Sequence, residues 1–146
     1  IANVLGAKVY PHTQKEIGWF PVEFVEGESD PLFSDFPSLC SVFHWHGDTF
    51  DIPKGAILLM SSKACKHQAF IYRDKVLGLQ FHLEMTEEGI QMLIANCHAE
   101  IIPSTTIQPE GKIISNTPAI PACQRMLFSL LDLWRRTSLD GVLKKE

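Results

Sequence analysis

The phrase Gly78-Leu79-Gln80-Phe81-His82-Leu83-Glu84-Met85-Thr86 runs from an apolar strand, through a histidine and a glutamate two positions apart, into a helix cap. Side chains at i and i+2 of an extended segment project to the same side. Glu84 can therefore accept a hydrogen bond from one imidazole nitrogen of His82 and fix its tautomer, leaving the other nitrogen outward as a base. This is the base and orienter of a nucleophile triad, placed beyond the carboxyl end of a strand where α/β sheets set their ligands. Spacing alone favours the plainer reading, a histidine that ends a strand and a solvated carboxylate ahead of a helix.

A second phrase, Val42-Phe43-His44-Trp45-His46-Gly47-Asp48-Thr49-Phe50, offers two imidazoles at i and i+2 beside an aspartate. His44, His46 and Asp48 can ligate zinc. The H-x-H-x-D string is similar to the signature of metallo-β-lactamase-like hydrolases, although that family continues with a further His where Thr49 stands. The other reading is a strand end with a turn at Gly47-Asp48, one imidazole packed and one wet. Lys63-Ala64-Cys65-Lys66-His67 gathers positive charge without interleaved aromatics and reads as a solvated loop. Neither a dinucleotide-binding G-x-G-x-x-G nor a phosphate-binding G-x-x-x-x-G-K-[ST] occurs. Met85, Met92 and Met126 fall on or beside apolar helical faces and read as core filling.

The elements that position these residues follow from periodicity. Ile1, Val4 and Leu5 before Gly6 read as the end of a helix closed by a glycine. Short strands are expected at Ala7–Tyr10, Ile17–Val25, Ser41–Trp45, Ala56–Ser61, Gln68–Tyr72 and Val76–Phe81, with a hairpin connection at Arg73-Asp74-Lys75. Glu26–Pro37 reads as a loop with one turn of helix. Thr86 caps a helix whose first turn carries Glu87 and Glu88, carboxylates that complement the helix dipole, and whose buried stripe is Ile90, Leu93, Ile94 and Cys97. Residues 101–117 lack a sustained period and are expected to form a surface connection. A closing helix is expected over 118–136, with a frayed tail from Leu143 to Glu146.

Forty-five per cent apolar and 21% charged residues over 146 positions fit one sizeable core. Thirteen basic against 17 acidic side chains give a net charge of −4, which excludes a global positive field for nucleic acid or an anionic membrane. Small molecules or proteins are the expected partners. The four cysteines, Cys40, Cys65, Cys97 and Cys123, never form C-x-x-C; these residues do not open on a charged n-region with an apolar h-region, and the longest wholly apolar run, Ala56 to Met60, is too short to span a bilayer. The chain reads as cytoplasmic with reduced thiols. It opens on Ile1 inside an apolar helical phrase, and so reads as a piece of a longer chain.

Taken in order, Lys15-Glu16-Ile17-Gly18-Trp19, His44-Trp45-His46-Gly47-Asp48, Ala64-Cys65-Lys66-His67-Gln68-Ala69-Phe70 and Leu77-Gly78-Leu79-Gln80-Phe81-His82-Leu83-Glu84 closely resemble class I glutamine amidotransferases, in particular stand-alone domains similar to the amidotransferase part of GMP synthase. The resemblance covers nearly the whole chain. It implies a single, partial amidotransferase domain over 1–146 with an α/β, flavodoxin-like sandwich, its central sheet mostly parallel and flanked by helices. It also implies a Cys-His-Glu triad that releases ammonia from the glutamine side chain, with His82 and Glu84 as second and third members. Trp45 and His46 match the segment that lines the glutamine pocket. Glutamine or a γ-glutamyl compound is the implied substrate, a synthetase or other ammonia acceptor a possible partner, and no cofactor or metal is implied.

The departures concern the nucleophile. The family's Gly-x-Cys-x-Gly elbow, the strands before it and the glycine-rich loop of the oxyanion hole are absent from this sequence, and Leu83 stands where many relatives have Pro. Cys65 matches a family position outside the active site. The expectation is a chain that does not hydrolyse glutamine by itself; the alternatives are a non-catalytic interaction module and a zinc hydrolase built on His44, His46 and Asp48.

Overall fold

The structure, a computed structural model, describes residues 1–73 and 75–143, with side chains described as far as residue 136. Asp74 of the expected hairpin connection, and the expected frayed tail from residue 144 onward, lie outside the described residues. Among the described residues five strands form one sheet: β1 (Val9–Phe24), β2 (Leu39–Phe50), β3 (Ala56–Ser62), β4 (Ala69–Tyr72) and β5 (Val76–Leu79), in the spatial order β2-β1-β3-β4-β5. Three α-helices follow: α1 (Glu87–Cys97), α2 (Glu110–Ser115) and α3 (Ile120–Leu143).

Every strand pairing in this sheet is antiparallel, which corrects the expectation of a mostly parallel sheet. For β3-β4 and β4-β5 the reason is the length of the connections. Residues 63–68 join β3 to β4 and residues 73–75 join β4 to β5, whereas a parallel pair needs a crossover of about a dozen residues or more.

The two strands expected at 7–10 and 17–25 are one strand, β1, which carries a register shift between Pro11 and Glu16. That irregularity tolerates the proline and the polar run His12–Lys15. The turn expected at Gly47-Asp48 is instead the continuation of β2, because pairing with β1 carries the ribbon through Glu16↔His46 and Pro11↔Asp48. At the start of the chain, Leu5 N–H bonds to the carbonyls of Ile1 and Ala2, and Gly6 closes this turn at φ +84°, the left-handed conformation that glycine permits.

The principal core lies where β1 and β2 meet the helices. Trp19 and Phe43 pack edge to face with centroids 5.3 Å apart, among Ile17, Leu59, Ile90 and Leu130, all essentially buried. The 25–38 connection contains the expected single turn, Pro31–Phe33, started by Asp30, whose side chain accepts from Leu32 N–H; Leu32, Phe33 and Phe36 enter the core. Residues 101–117 are not merely a surface connection. They include α2, and they bury Ile107, Gln108 and Ile113 against β1. The indole N–H of Trp19 donates to the Ile113 carbonyl at 3.1 Å. The closing helix begins two residues later than expected, after a turn at Thr117–Ala119, and runs beyond 136 to Leu143. Among the described residues no helix is long and apolar enough to cross a membrane.

Candidate active site

His82 and Glu84 sit between the end of β5 and the start of α1, and the expected contact between them is present. Nδ1 of His82 lies 2.6 Å from Oε1 of Glu84. The other carboxylate oxygen accepts from the Leu83 amide at 3.0 Å. Burial works to raise the Glu84 carboxyl, but the bonds from His82 and from the backbone outweigh it and hold the group below its ordinary range. Glu84 is thus an ionised acceptor, His82 carries hydrogen on Nδ1, and Nε2 is left as the basic nitrogen.

Three anchors hold this segment. The His82 amide donates to the Phe43 carbonyl at 2.8 Å, an isolated bridge to β2. Leu83 is buried between the two polar residues. Thr86 Oγ accepts from Gly89 N–H at 3.1 Å and starts α1, with Glu87 and Glu88 in the first turn as expected. Both polar side chains remain open to solvent, 35% for His82 and 57% for Glu84, so a reactant can reach the ring.

Strand β2 divides the second phrase between the two faces of the sheet, since successive side chains of a strand point to opposite sides. Phe43 and Trp45 share one face, ring centroids 6.2 Å apart, and the His82 ring lies 6.3 Å from Phe43. His44 and His46 share the other, 5.7 Å apart. The structure therefore brings Trp45 and His82 to the borders of one aromatic residue and turns His46 away from them.

His46 joins a buried polar group instead. Its Nε2 lies 3.2 Å from Oε2 of Glu16, and its Nδ1 faces the Asp48 carbonyl at 3.2 Å. Glu16 is 1% exposed and also accepts from Ser62 Oγ at 2.8 and 3.0 Å and from Gln68 Nε2 at 2.7 Å. Burial would raise the Glu16 carboxyl, yet the His46 bond, the neighbouring His44 and the Ser62 bond together lower it. His44 is fully buried, and burial pushes its imidazole down to about 4 although the Glu16 charge and the Phe20 backbone pull the other way.

Donor atoms of Glu16, His44 and His46 all lie within 4.8 Å of one another, the one such group among the described residues able to hold a metal. Asp48, the expected third ligand, takes part through its carbonyl, which also accepts from Gln80 Nε2 at 2.8 Å. Glu16 was missed as a site residue. Its signal was a carboxylate set among the alternating apolar residues of β1, and only the register Glu16↔His46 gives that signal meaning.

The thiols occupy quiet positions. Cys40, Cys65 and Cys123 are buried, and burial pushes Cys40 and Cys123 up to about 11. Cys65 lies in the connection from β3 to β4, where its amide donates to Ser62 Oγ at 3.0 Å. Cys97 is half-buried at the end of α1.

The sequence model of the family described as glutamine amidotransferase class-I matches residues 1–101. Over 102 residues the chain is 36% identical to the glutamine amidotransferase-like protein YfeJ of Salmonella typhimurium, a match to 69% of this chain and 43% of that one. It is 35% identical over 97 residues to the glutamine-hydrolysing GMP synthase of Aliivibrio salmonicida, covering 64% of this chain and 18% of the synthase. Among solved structures, a glutamine amidotransferase from Thermotoga maritima superposes with a TM-score of 0.77 at 35% identity, over 91% of this chain and 56% of that one. A glutamine amidotransferase from Methylobacillus flagellatus shares the fold, with a TM-score of 0.83 at 23% identity over 92% of this chain and 57% of the other. The chain thus spans less than half the length of these two curated relatives.

Proposed function

Because the chain belongs to the class I glutamine amidotransferase family, we propose that it carries the base half of a Cys-His-Glu triad that hydrolyses the side-chain amide of glutamine or of a γ-glutamyl compound. The observation that carries this reading is the 2.6 Å contact between His82 Nδ1 and Glu84 Oε1, which leaves His82 Nε2 free and basic. The nucleophilic cysteine is assigned to a segment outside these 146 residues. Burial of three of the four thiols, and the raised Cys40 and Cys123, support that assignment.

His82 Nε2 takes the thiol proton, the thiolate attacks the amide carbon, and the tetrahedral intermediate collapses as His82 returns the proton to the leaving ammonia. Water, deprotonated by the same nitrogen, then cleaves the thioester and releases the γ-carboxylate with the thiol restored. Glu84 acts throughout by holding the imidazole in one tautomer and stabilising the imidazolium. Trp45, bordering Phe43 together with His82, forms a wall of the glutamine pocket. His46, the other residue of that segment, lies on the opposite face of β2 beside His44 and Glu16. The ammonia is passed to a synthetase or another acceptor, by analogy with the glutamine-hydrolysing GMP synthase.

The test is intact mass after incubation with an electrophilic glutamine analogue, on this chain and on one extended through a Gly-x-Cys-x-Gly elbow. An adduct on the extended chain alone is expected. An adduct at Cys40, Cys65, Cys97 or Cys123 refutes the assignment of the nucleophile, and no adduct on either chain favours a non-catalytic interaction module.

A further inference from the structure

His46 is in a chemically incomplete position. Its Nδ1 faces a carbonyl oxygen, that of Asp48, at 3.2 Å, and a carbonyl only accepts. A neutral ring has only one N–H, so it cannot donate both to that carbonyl and to the carboxylate oxygen of Glu16 that lies 3.2 Å from Nε2. One of the two contacts is left without a hydrogen. Beside them His44 is wholly buried; the Phe20 backbone is a polar neighbour of its ring, but neither ring nitrogen has a well-aligned hydrogen-bond partner among the described residues. Buried polar groups are rarely left so, and an ion or water is one of the ordinary explanations. A divalent cation would answer all three side chains together.

We propose that Glu16, His44 and His46 form a zinc-class divalent cation site that ties β1 to β2 on the face opposite Trp45. Two imidazole nitrogens and one carboxylate are a donor set suited to zinc and its first-row neighbours, and poorly suited to calcium or magnesium, which take oxygen. The outer contacts agree with this assignment. Metal-bound histidines usually donate their second nitrogen to a carbonyl or carboxylate, as His46 Nδ1 does to Asp48, and ligating carboxylates are themselves hydrogen-bonded, as Glu16 is by Ser62 and Gln68. Donors on a tetrahedral zinc stand about 3.3 Å apart, so the group, now within 4.8 Å, closes by small side-chain rotations. A cleft of about 430 Å³, lined by Gln14, Glu16, Phe20, Lys63 and Thr106, reaches Glu16 from solvent, although neither imidazole lines it. The H-x-H of the sequence is thus a pair of ligands, completed by a carboxylate 28 residues before His44 rather than by Asp48.

The test uses the chain purified without chelator or metal-affinity tag, with metal content by mass spectrometry and cobalt or zinc titrated into the metal-free protein. One ion per chain, tetrahedral cobalt absorption bands and a thermal midpoint raised by zinc are expected. Glu16→Gln and His44→Phe, the latter filling the site with an apolar ring, should each weaken zinc binding by more than about 100-fold; the outer change Ser62→Ala, which keeps the ligands, should weaken it by about 10-fold. Wild-type protein that takes up neither zinc nor cobalt overturns the site. So does a folded Glu16→Gln or His44→Phe variant that binds as tightly as wild type, which would place the ion elsewhere. If neither ligand variant folds, Ser62→Ala decides, and unchanged affinity in it counts against the site. None of these readouts depends on amidotransferase activity.

Discussion

The amide of His82 donates to the carbonyl of Phe43 across 2.8 Å, joining the segment that leaves β5 to the middle of β2. Because β2 is itself fixed by a long antiparallel ladder with β1, the orientation of the His82 backbone is set by the rigid part of the sheet. The side chain is then oriented locally by Glu84. An imidazole held at both levels meets what the proposed proton-transfer role requires, and it makes the contribution of each partner measurable.

In a form of the protein that releases ammonia from glutamine, His82→Ala should lower kcat by about a thousandfold or more. Glu84→Gln should lower kcat by roughly 10² to 10⁴, because a neutral amide no longer enforces the tautomer with hydrogen on Nδ1. KM should change little in either variant. Steady-state ammonia release against glutamine concentration checks both. A His82→Ala enzyme with normal kcat would exclude the triad reading.

The pH dependence of stability follows from the lowered Glu84 carboxyl. A carboxylate with a depressed folded value contributes stability that is present above its unfolded value, about 4.5, and lost as pH falls through the lower folded one. Urea unfolding of wild type and Glu84→Gln should therefore show a difference that shrinks as pH falls below about 4.5. A difference that did not shrink there would mean that an ionised Glu84 carboxylate is not its source.

Gly18→Ala should destabilise the fold by about 1–3 kcal/mol. Gly18 sits at φ +116°, and a Cβ there would lie 2.6 Å from Oε1 of Gln108. The Gln108 amide bonds both polar groups of the Trp19 backbone, accepting at 3.0 Å and donating at 2.7 Å, so the clash would break a buried tie between β1 and the segment before α2. Gln108→Ala, which leaves the Trp19 N–H and carbonyl unpaired, should cost a similar about 1–3 kcal/mol. Denaturant midpoints measure both.

Native-state alkylation at pH 8 should modify Cys97 first, the half-buried thiol at the end of α1. Cys40 and Cys123 carry little thiolate at that pH, since burial pushes each up to about 11, and Cys65 is enclosed. Peptide mass mapping should find those three modified only after denaturant is added. Early labelling of Cys40 or Cys123 would contradict the packing described here.

What the sequence by itself determined was local. The i, i+2 spacing of His82 and Glu84, the Thr86 cap with its acidic first turn, the left-handed Gly6 and the single turn after Asp30 all involve groups within four residues, so a rule about one strand or one helical turn suffices. The order of four motifs also carried the family. Only the tertiary structure decided that the sheet is antiparallel, that 101–117 buries Ile107, Gln108 and Ile113, and that His46 turns from Trp45 toward Glu16. A strand shows its alternation in sequence but not its partner or its register. Shifting one strand by a single residue exchanges its two faces. Glu16 and His46 are 30 positions apart, and their meeting depends on the ladder between β1 and β2, whose register is fixed by the packing of Ile17, Trp19 and Phe43 against the helices.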